Sequence, residues 1–189
     1  MTGNRKSNQA VYLINEPEDM NITALPAPGN LGQVFSVTVP PRITPTGPEP
    51  ESGADKSYRI VQLDSSLASS ATRYQLAWWK NRATYTVTTN QTNALSRNAI
   101  AGVLKSPIVN PGRYTCIQYE GPSRINSIAA VIALWANGDA AIPSAAGQGQ
   151  VDRVASGTAP THSIVGFVTG AADATGLTVL VNLQIPETP

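Results

Sequence analysis

The chain has 189 residues, with 13 basic and 12 acidic side chains, one His, one Cys, and 15 each of Gly and Pro. At 13% charged it holds about half the usual share, which excludes a disordered polyelectrolyte and a coiled coil; Ser, Thr, Asn and Gln carry the polarity instead, and they suit sheets and turns better than helices. A net charge of +1 with no clustered sign gives no steering toward nucleic acid or an acidic membrane, and a single Cys excludes an intrachain disulfide and a multi-thiolate metal site.

The N-terminus offers Arg5 and Lys6, but the apolar stretch that follows, Ala10 to Ile14, is too short for a signal-peptide core. The expectation is a soluble protein made in the cytoplasm without export. Eight of the 15 prolines lie between Pro17 and Pro50. Proline fixes φ, removes an amide donor and pushes its predecessor into extended space, so this stretch cannot be helical. Residues 1–55 carry two apolar strand-like segments, Ala10 to Ile14 ahead of this stretch and Val34 to Val39 within it. Residues 1–55 therefore read as an extended arm with two anchors rather than a floppy leader, because Val34, Phe35, Val37 and Val39 are costly to leave in water. Folding back on its own subunit is expected to gain such an arm little, so the anchors are expected to find cover on neighbouring chains.

From residue 56 onward short β-type segments recur between turn residues. Ser57 to Leu63 alternates, and Asp64 to Thr72 reads as a loop or short helical turn. Arg73 to Trp79 places Tyr74, Leu76 and Trp78 on one face of a strand and Trp79 on the other. Thr84 to Thr88 is β-branched and aromatic, and Arg113 to Tyr119 follows an Asn110-Pro111-Gly112 turn. Ile128 to Ala136 is the longest purely apolar run, nine residues against the ~20 that span a bilayer. Ile125 to Trp135 is apolar enough for a buried strand or a short helix, and its β-branched Ile128, Val131 and Ile132, with Asn137-Gly138 next, favour a strand entering a tight hairpin. Beyond it, Gln150 to Val154, Ile164 to Val168 and Leu177 to Leu183 read as strands, and Gly166 marks a bend or a close backbone approach. The fold class is all-β: a small antiparallel barrel or sandwich over 56–189, with two lobes, 56–121 and 122–189, if it divides near Gly121-Pro122-Ser123.

Few residues offer chemistry. His162 is the only histidine, and no Gly-x-Ser-x-Gly elbow accompanies it for a triad with Asp152 or Asp173. Glu16, Glu18 and Asp19 lack the alternation of a Ca²⁺ loop, and Gly147-x-Gly149 lacks the third glycine of a dinucleotide site. Asn21 and Asn90 head sequons that an unexported chain leaves unused, and Cys116 reads as a small buried hydrophobe. The expectation is no enzyme, no catalytic residue, no cofactor and no metal. Trp78, Trp79, Lys80, Arg82 and Tyr85 form the one aromatic–basic concentration: core or subunit contact on one reading, a platform for sugars or bases on the other.

The tail, about residues 137–183, carries Asn137-Gly138-Asp139-Ala140-Ala141, Gly149-Gln150-Val151-Asp152-Arg153-Val154-Ala155, His162-Ser163-Ile164-Val165-Gly166-Phe167-Val168-Thr169-Gly170-Ala171 and Gly176-Leu177-Thr178-Val179-Leu180-Val181-Asn182-Leu183. This order resembles the C-terminal β-module of tailed-phage capsid decoration proteins, also called head-stabilising or cement proteins. The resemblance implies a homotrimer on the outside of an icosahedral shell, with the major capsid protein as partner and neither nucleic acid nor membrane involved. The expected function is accordingly a virion structural protein that stabilises a phage head; the alternative is a glycan- or receptor-binding β-module using Trp78, Trp79 and Tyr85.

Overall fold

In a computed structural model of the chain, residues 20–23, 25, 30–39, 41, 43–44, 47–48, 51–145 and 148–186 are described, and the Ala10 to Ile14 anchor and the acidic Glu16, Glu18 and Asp19 lie outside them. The described residues are all-β. The strands are β1 Val34–Thr38, β2 Ile43–Thr44, β3 Gly47–Pro48, β4 Asp55–Leu63, β5 Ala71–Thr72, β6 Leu76–Asn81, β7 Thr86–Thr88, β8 Ile100–Leu104, β9 Ile108–Val109, β10 Tyr114–Asn126, β11 Ala140–Pro143, β12 Val151–Val154, β13 Gly166–Val168 and β14 Thr178–Gln184.

Five of them close a ring. β4 pairs with β10, β10 with β8, β8 with β6 and β6 with β7, all antiparallel; β7 returns to β4 through a short parallel pairing, Gln62 with Thr86 and Leu63 with Val87. The closure is held by Gln62 N–H to the Tyr85 carbonyl at 3.0 Å and Asp64 N–H to the Val87 carbonyl at 2.8 Å. Closing the ring removes the unpaired edges that a five-stranded open sheet would expose. Strand alternation then sends every second side chain inward. Val61, Leu63, Ala77, Trp79, Val87, Ala101, Leu104 and Ile117 fill the ring.

The alternate residues of the same walls face a second layer. Leu76, Trp78, Ile100 and Val103 pack against Val151, Val165, Val168, Val179, Val181 and Leu183, which come from β12, β13, β14 and the approach to β13. These strands form the sheet order β10-β14-β13-β11-β12. Trp78 and Trp79 thus point into opposite cores, as period-2 alternation requires, although Tyr74 sits in a turn with φ +68° ahead of β6 rather than on it. The expected close approach at Gly166 is present: a Cβ there would lie 2.1 Å from the Asn182 carbonyl oxygen.

β10 serves both layers. Its first half pairs with β4 and β8, its second with β14, and Gly121, at φ +86°, lies where it changes partner. The division offered at Gly121-Pro122-Ser123 therefore falls inside one continuous strand.

Two expectations need correction. Ile125 to Trp135 is strand only at its first two residues: β10 ends at Asn126, and Ala129–Leu134 is a 3-10 helix. β-branching favoured extension, but a run apolar at every position has no alternation to commit one face to a core. The second concerns the arm. Its Val34–Val39 anchor adds β1 to the chain's own β4, with Phe35 buried and stacked on Tyr58 at 5.6 Å between ring centroids. Met20 and Phe35 cover Tyr58, Ile60 and Cys116, and Ile22 exchanges backbone bonds with Tyr114 at 2.9 and 3.1 Å. The described arm is part of the chain's own core because β4 and β10 present an apolar outer face that Met20, Ile22, Leu25, Phe35 and Val37 pack against.

Candidate functional site

The described surface leaves three arrangements that a partner can use. The first is the 3-10 helix Ala129-Ala130-Val131-Ile132-Ala133-Leu134, apolar throughout and with no buried residue. It is pinned at both ends. Ile128 N–H bonds the Val151 carbonyl at 3.2 Å, and Trp135 packs on the inter-layer core while its Nε1–H donates to Ser127 Oγ at 2.8 Å. The loop beyond is fixed by Asp139, whose carboxylate accepts from Ala136 N–H at 2.7 Å, Ser156 N–H at 3.0 Å and Arg153 Nε at 2.6 Å. Burial by itself raises the Asp139 pKa, but these donors and the Arg153 charge outweigh it and hold the carboxyl below its ordinary range. The helix is thus a fixed apolar ridge, with Leu134 56% exposed.

The second is the Pro-rich stretch between β1 and β4. It returns on itself, with Ile43 opposite Pro48 and Thr44 opposite Gly47. At its base Val39 and the Gly53–Ala54 segment exchange backbone bonds at 2.9 and 3.1 Å. Ile43, 87% exposed, is the most open large apolar residue among those described. The base is latched to the barrel by Glu51. Its carboxylate lies 3.3 Å from Lys105 Nζ and also accepts the Arg124 N–H. Lys105 is buried, with Ser123 Oγ at 3.3 Å and the Tyr74 ring centroid at 5.1 Å.

The third is a polar cleft of about 600 Å³ where β1, β4, β10 and β14 lie side by side. Register places Ser36, Ser57, Glu120 and Gln184 in one row across the four strands. Ser57 Oγ donates to Glu120 Oε2 at 2.7 Å, and Ser36 Oγ lies 3.1 Å from Ser57 Oγ. In the adjacent row Thr38 Oγ1 donates to Asp55 Oδ1 at 2.6 Å.

Comparison with protein-family models, curated proteins and solved structures finds no match to this chain.

The residues singled out in the sequence fare differently. Trp78 and Trp79 are 0% and 1% exposed, so neither offers a face to a sugar or base. Burying each contributes about 4–6 kcal/mol at 150–250 Å² and ~25 cal/mol per Å², too much to forfeit for stacking on a ligand. Lys80 leaves the proposed platform to pair with buried Asp64 at 2.7 Å. Burial raises the Asp64 pKa, while hydrogen bonds from Lys80 and Ser66 and the Lys80 charge bring it below its usual value. Tyr85 stands edge-on to Trp79, with ring centroids 6.4 Å apart. Of this concentration the two tryptophans are core, while Lys80 and Tyr85 are half-buried and Arg82 is exposed.

His162 is half-buried, and among the described residues neither Asp152 nor Asp173 bonds it. Asp152 accepts from Arg153 N–H, and Asp173 from Thr175 and Gly176 N–H in its own turn. Asn90 accepts from Thr92 N–H at 3.1 Å at the start of a short 3-10 turn. Gly147 lies outside the described residues. Cys116 is fully buried, with Met20 Sδ 3.3 Å from its sulfur, and burial pushes its thiol up to about 12. The Glu51–Lys105 latch and the cleft were not anticipated. Their members lie far apart in the chain and meet only through strand register.

Proposed function

We propose that this chain is a virion structural protein that decorates the outer surface of a tailed-phage head and stabilises it, binding the major capsid protein as part of a homotrimer. The observation that carries the reading is the ridge Ala129–Leu134, a fixed apolar helix in which Ala129, Ala130, Ala133 and Leu134 are exposed and Val131 and Ile132 half-buried among the described residues. Contiguous apolar surface of this kind marks protein–protein contact, and a ridge held at both ends loses little conformational entropy on docking. Exposed Ile43 on β2 adds a second apolar contact on a separate element. The resemblance of residues 137–183 to decoration proteins supplies the shell and the trimer. The near-neutral charge fits repeated packing contacts better than electrostatic capture.

Stabilisation follows from differential binding. A composite site that exists only on the expanded shell shifts the shell toward that state, and many identical weak contacts sum over a closed lattice. Heads assembled with and without the protein and then heated or osmotically shocked test this: decorated heads are expected to withstand the higher stress, and equal rupture thresholds overturn the proposal.

A further inference from the structure

We propose that the four-strand cleft is a subsite for a guanidinium or ammonium group, delivered by an Arg or Lys side chain of a neighbouring protein chain. The delivering chain rests on the decoration reading; the preference for a cation rests on the cleft alone.

The argument is an inventory of donors and acceptors. Ser57 gives its proton to Glu120, so the Ser36–Ser57 contact has Ser36 as donor, and the row runs Ser36 to Ser57 to Glu120. Thr38 gives its proton to Asp55. Every hydroxyl proton in these two rows is thus engaged, Ser57 and Thr38 by a carboxylate and Ser36 by the Ser57 oxygen, leaving the cleft acceptors rather than free hydroxyl donors. Among the described residues two carboxylates line it, and no Lys, Arg or His does. The lining therefore carries a formal charge of −2 and is rich in acceptors, with the amides of Asn182 and Gln184 as its side-chain donors beyond those hydroxyls.

A sugar brings hydroxyls that need acceptors and donors alike, and a phosphate brings acceptors only; both fit poorly. A guanidinium brings five N–H donors and no acceptor, and an ammonium three, which complements this wall in charge and in hydrogen bonding. The cleft is fixed in shape. Glu120 is hydrogen-bonded from β4, and β10 passes β4 so closely at Gly121 that a Cβ there would lie 2.3 Å from the Asp55 carbonyl oxygen. It is also open, so a free small cation has little else to hold it, whereas a side chain is retained by the rest of its interface.

The test is a ¹H–¹⁵N NMR titration of the full chain with N-acetyl-arginine amide, N-acetyl-citrulline amide and spermidine, in wild type and in the Asp55→Asn/Glu120→Gln variant. These isosteric changes keep both hydroxyl acceptors, and unshifted amides in β13 report an intact fold. Saturable shifts centred on residues 36, 55, 57, 120 and 184 are expected with the arginine probe, in the millimolar range. Affinity is expected to fall at least ~10-fold both in the variant and with the neutral citrulline probe. No saturable shifts at these positions, or equal binding of citrulline, overturns the cation preference. Spermidine binding ~10-fold tighter than the arginine probe overturns the side-chain source. No shell enters the titration, so its failure is separable from failure of the decoration reading.

Discussion

Removing the Glu51 carboxylate is expected to destabilise the fold by several kcal/mol, because it takes a carboxylate partner from a buried cation. Lys105 is 1% exposed and Glu51 14%, and the same carboxylate also takes the Arg124 N–H. Breaking a buried pair from one side costs about 3–5 kcal/mol. Ser123 and the Tyr74 ring still face Lys105 and the Glu51 side is partly wet, which puts Glu51→Ala near the lower end, about 3 kcal/mol. With a urea m-value of ~2 kcal/mol per M, the unfolding midpoint falls by about 1.5 M. Adding Lys105→Met removes the buried charge itself; the double variant is expected to lie about 1 kcal/mol below wild type, the residue of the lost Arg124 bond. Urea titrations of the four proteins close the cycle. A Glu51→Ala shift under about 0.5 M, or no rescue by Lys105→Met, refutes the latch.

Acid should weaken the protein through Asp64 and Asp139, whose folded pKa values both lie below the usual 3.8. Their contribution is full above that value and is lost as pH falls through the lower folded values, so urea midpoints should drop between about pH 5 and about pH 2, and Asp139→Asn should flatten that slope. Gly166→Ala drives a Cβ into the Asn182 carbonyl and is expected to cost about 1–3 kcal/mol, read as a Tm fall of several degrees in calorimetry. Cys116 should resist a thiol reagent in the intact chain and react readily once residues 1–39 are deleted, because Met20 and Phe35 help cover its pocket.

What could be read from the chain is what alternation and turn chemistry encode locally. Trp78 and Trp79 diverge into two cores because adjacent residues on a strand must, and Gly166 marked the one place where β13 and β14 crowd. β8 escaped notice: Ile100 to Leu104 is five residues, all buried, with Gly102 at its centre, so no alternation marks it. The Ile128 to Trp135 run misled for the opposite reason, since apolar residues at every position suit strand, helix or exposed ridge alike. Proline favours extended chain, and the described Ile43–Thr44 and Gly47–Pro48 are strands, but proline does not say that the two will pair. The Glu51 latch spans 54 positions and the cleft runs from Ser36 to Gln184; only the assembled sheet brings such residues together.

The most direct measurement is the rupture temperature of heads assembled with wild type, with Leu134→Asp and with no decorating chain. Leu134 is 56% exposed, so the change leaves both cores intact while placing a charge on the ridge. Wild-type heads are expected to rupture at the highest temperature, and Leu134→Asp heads at that of undecorated ones with little protein bound. Full occupancy and full protection by the Leu134→Asp chain would contradict the ridge as the contact that holds this protein to its partner.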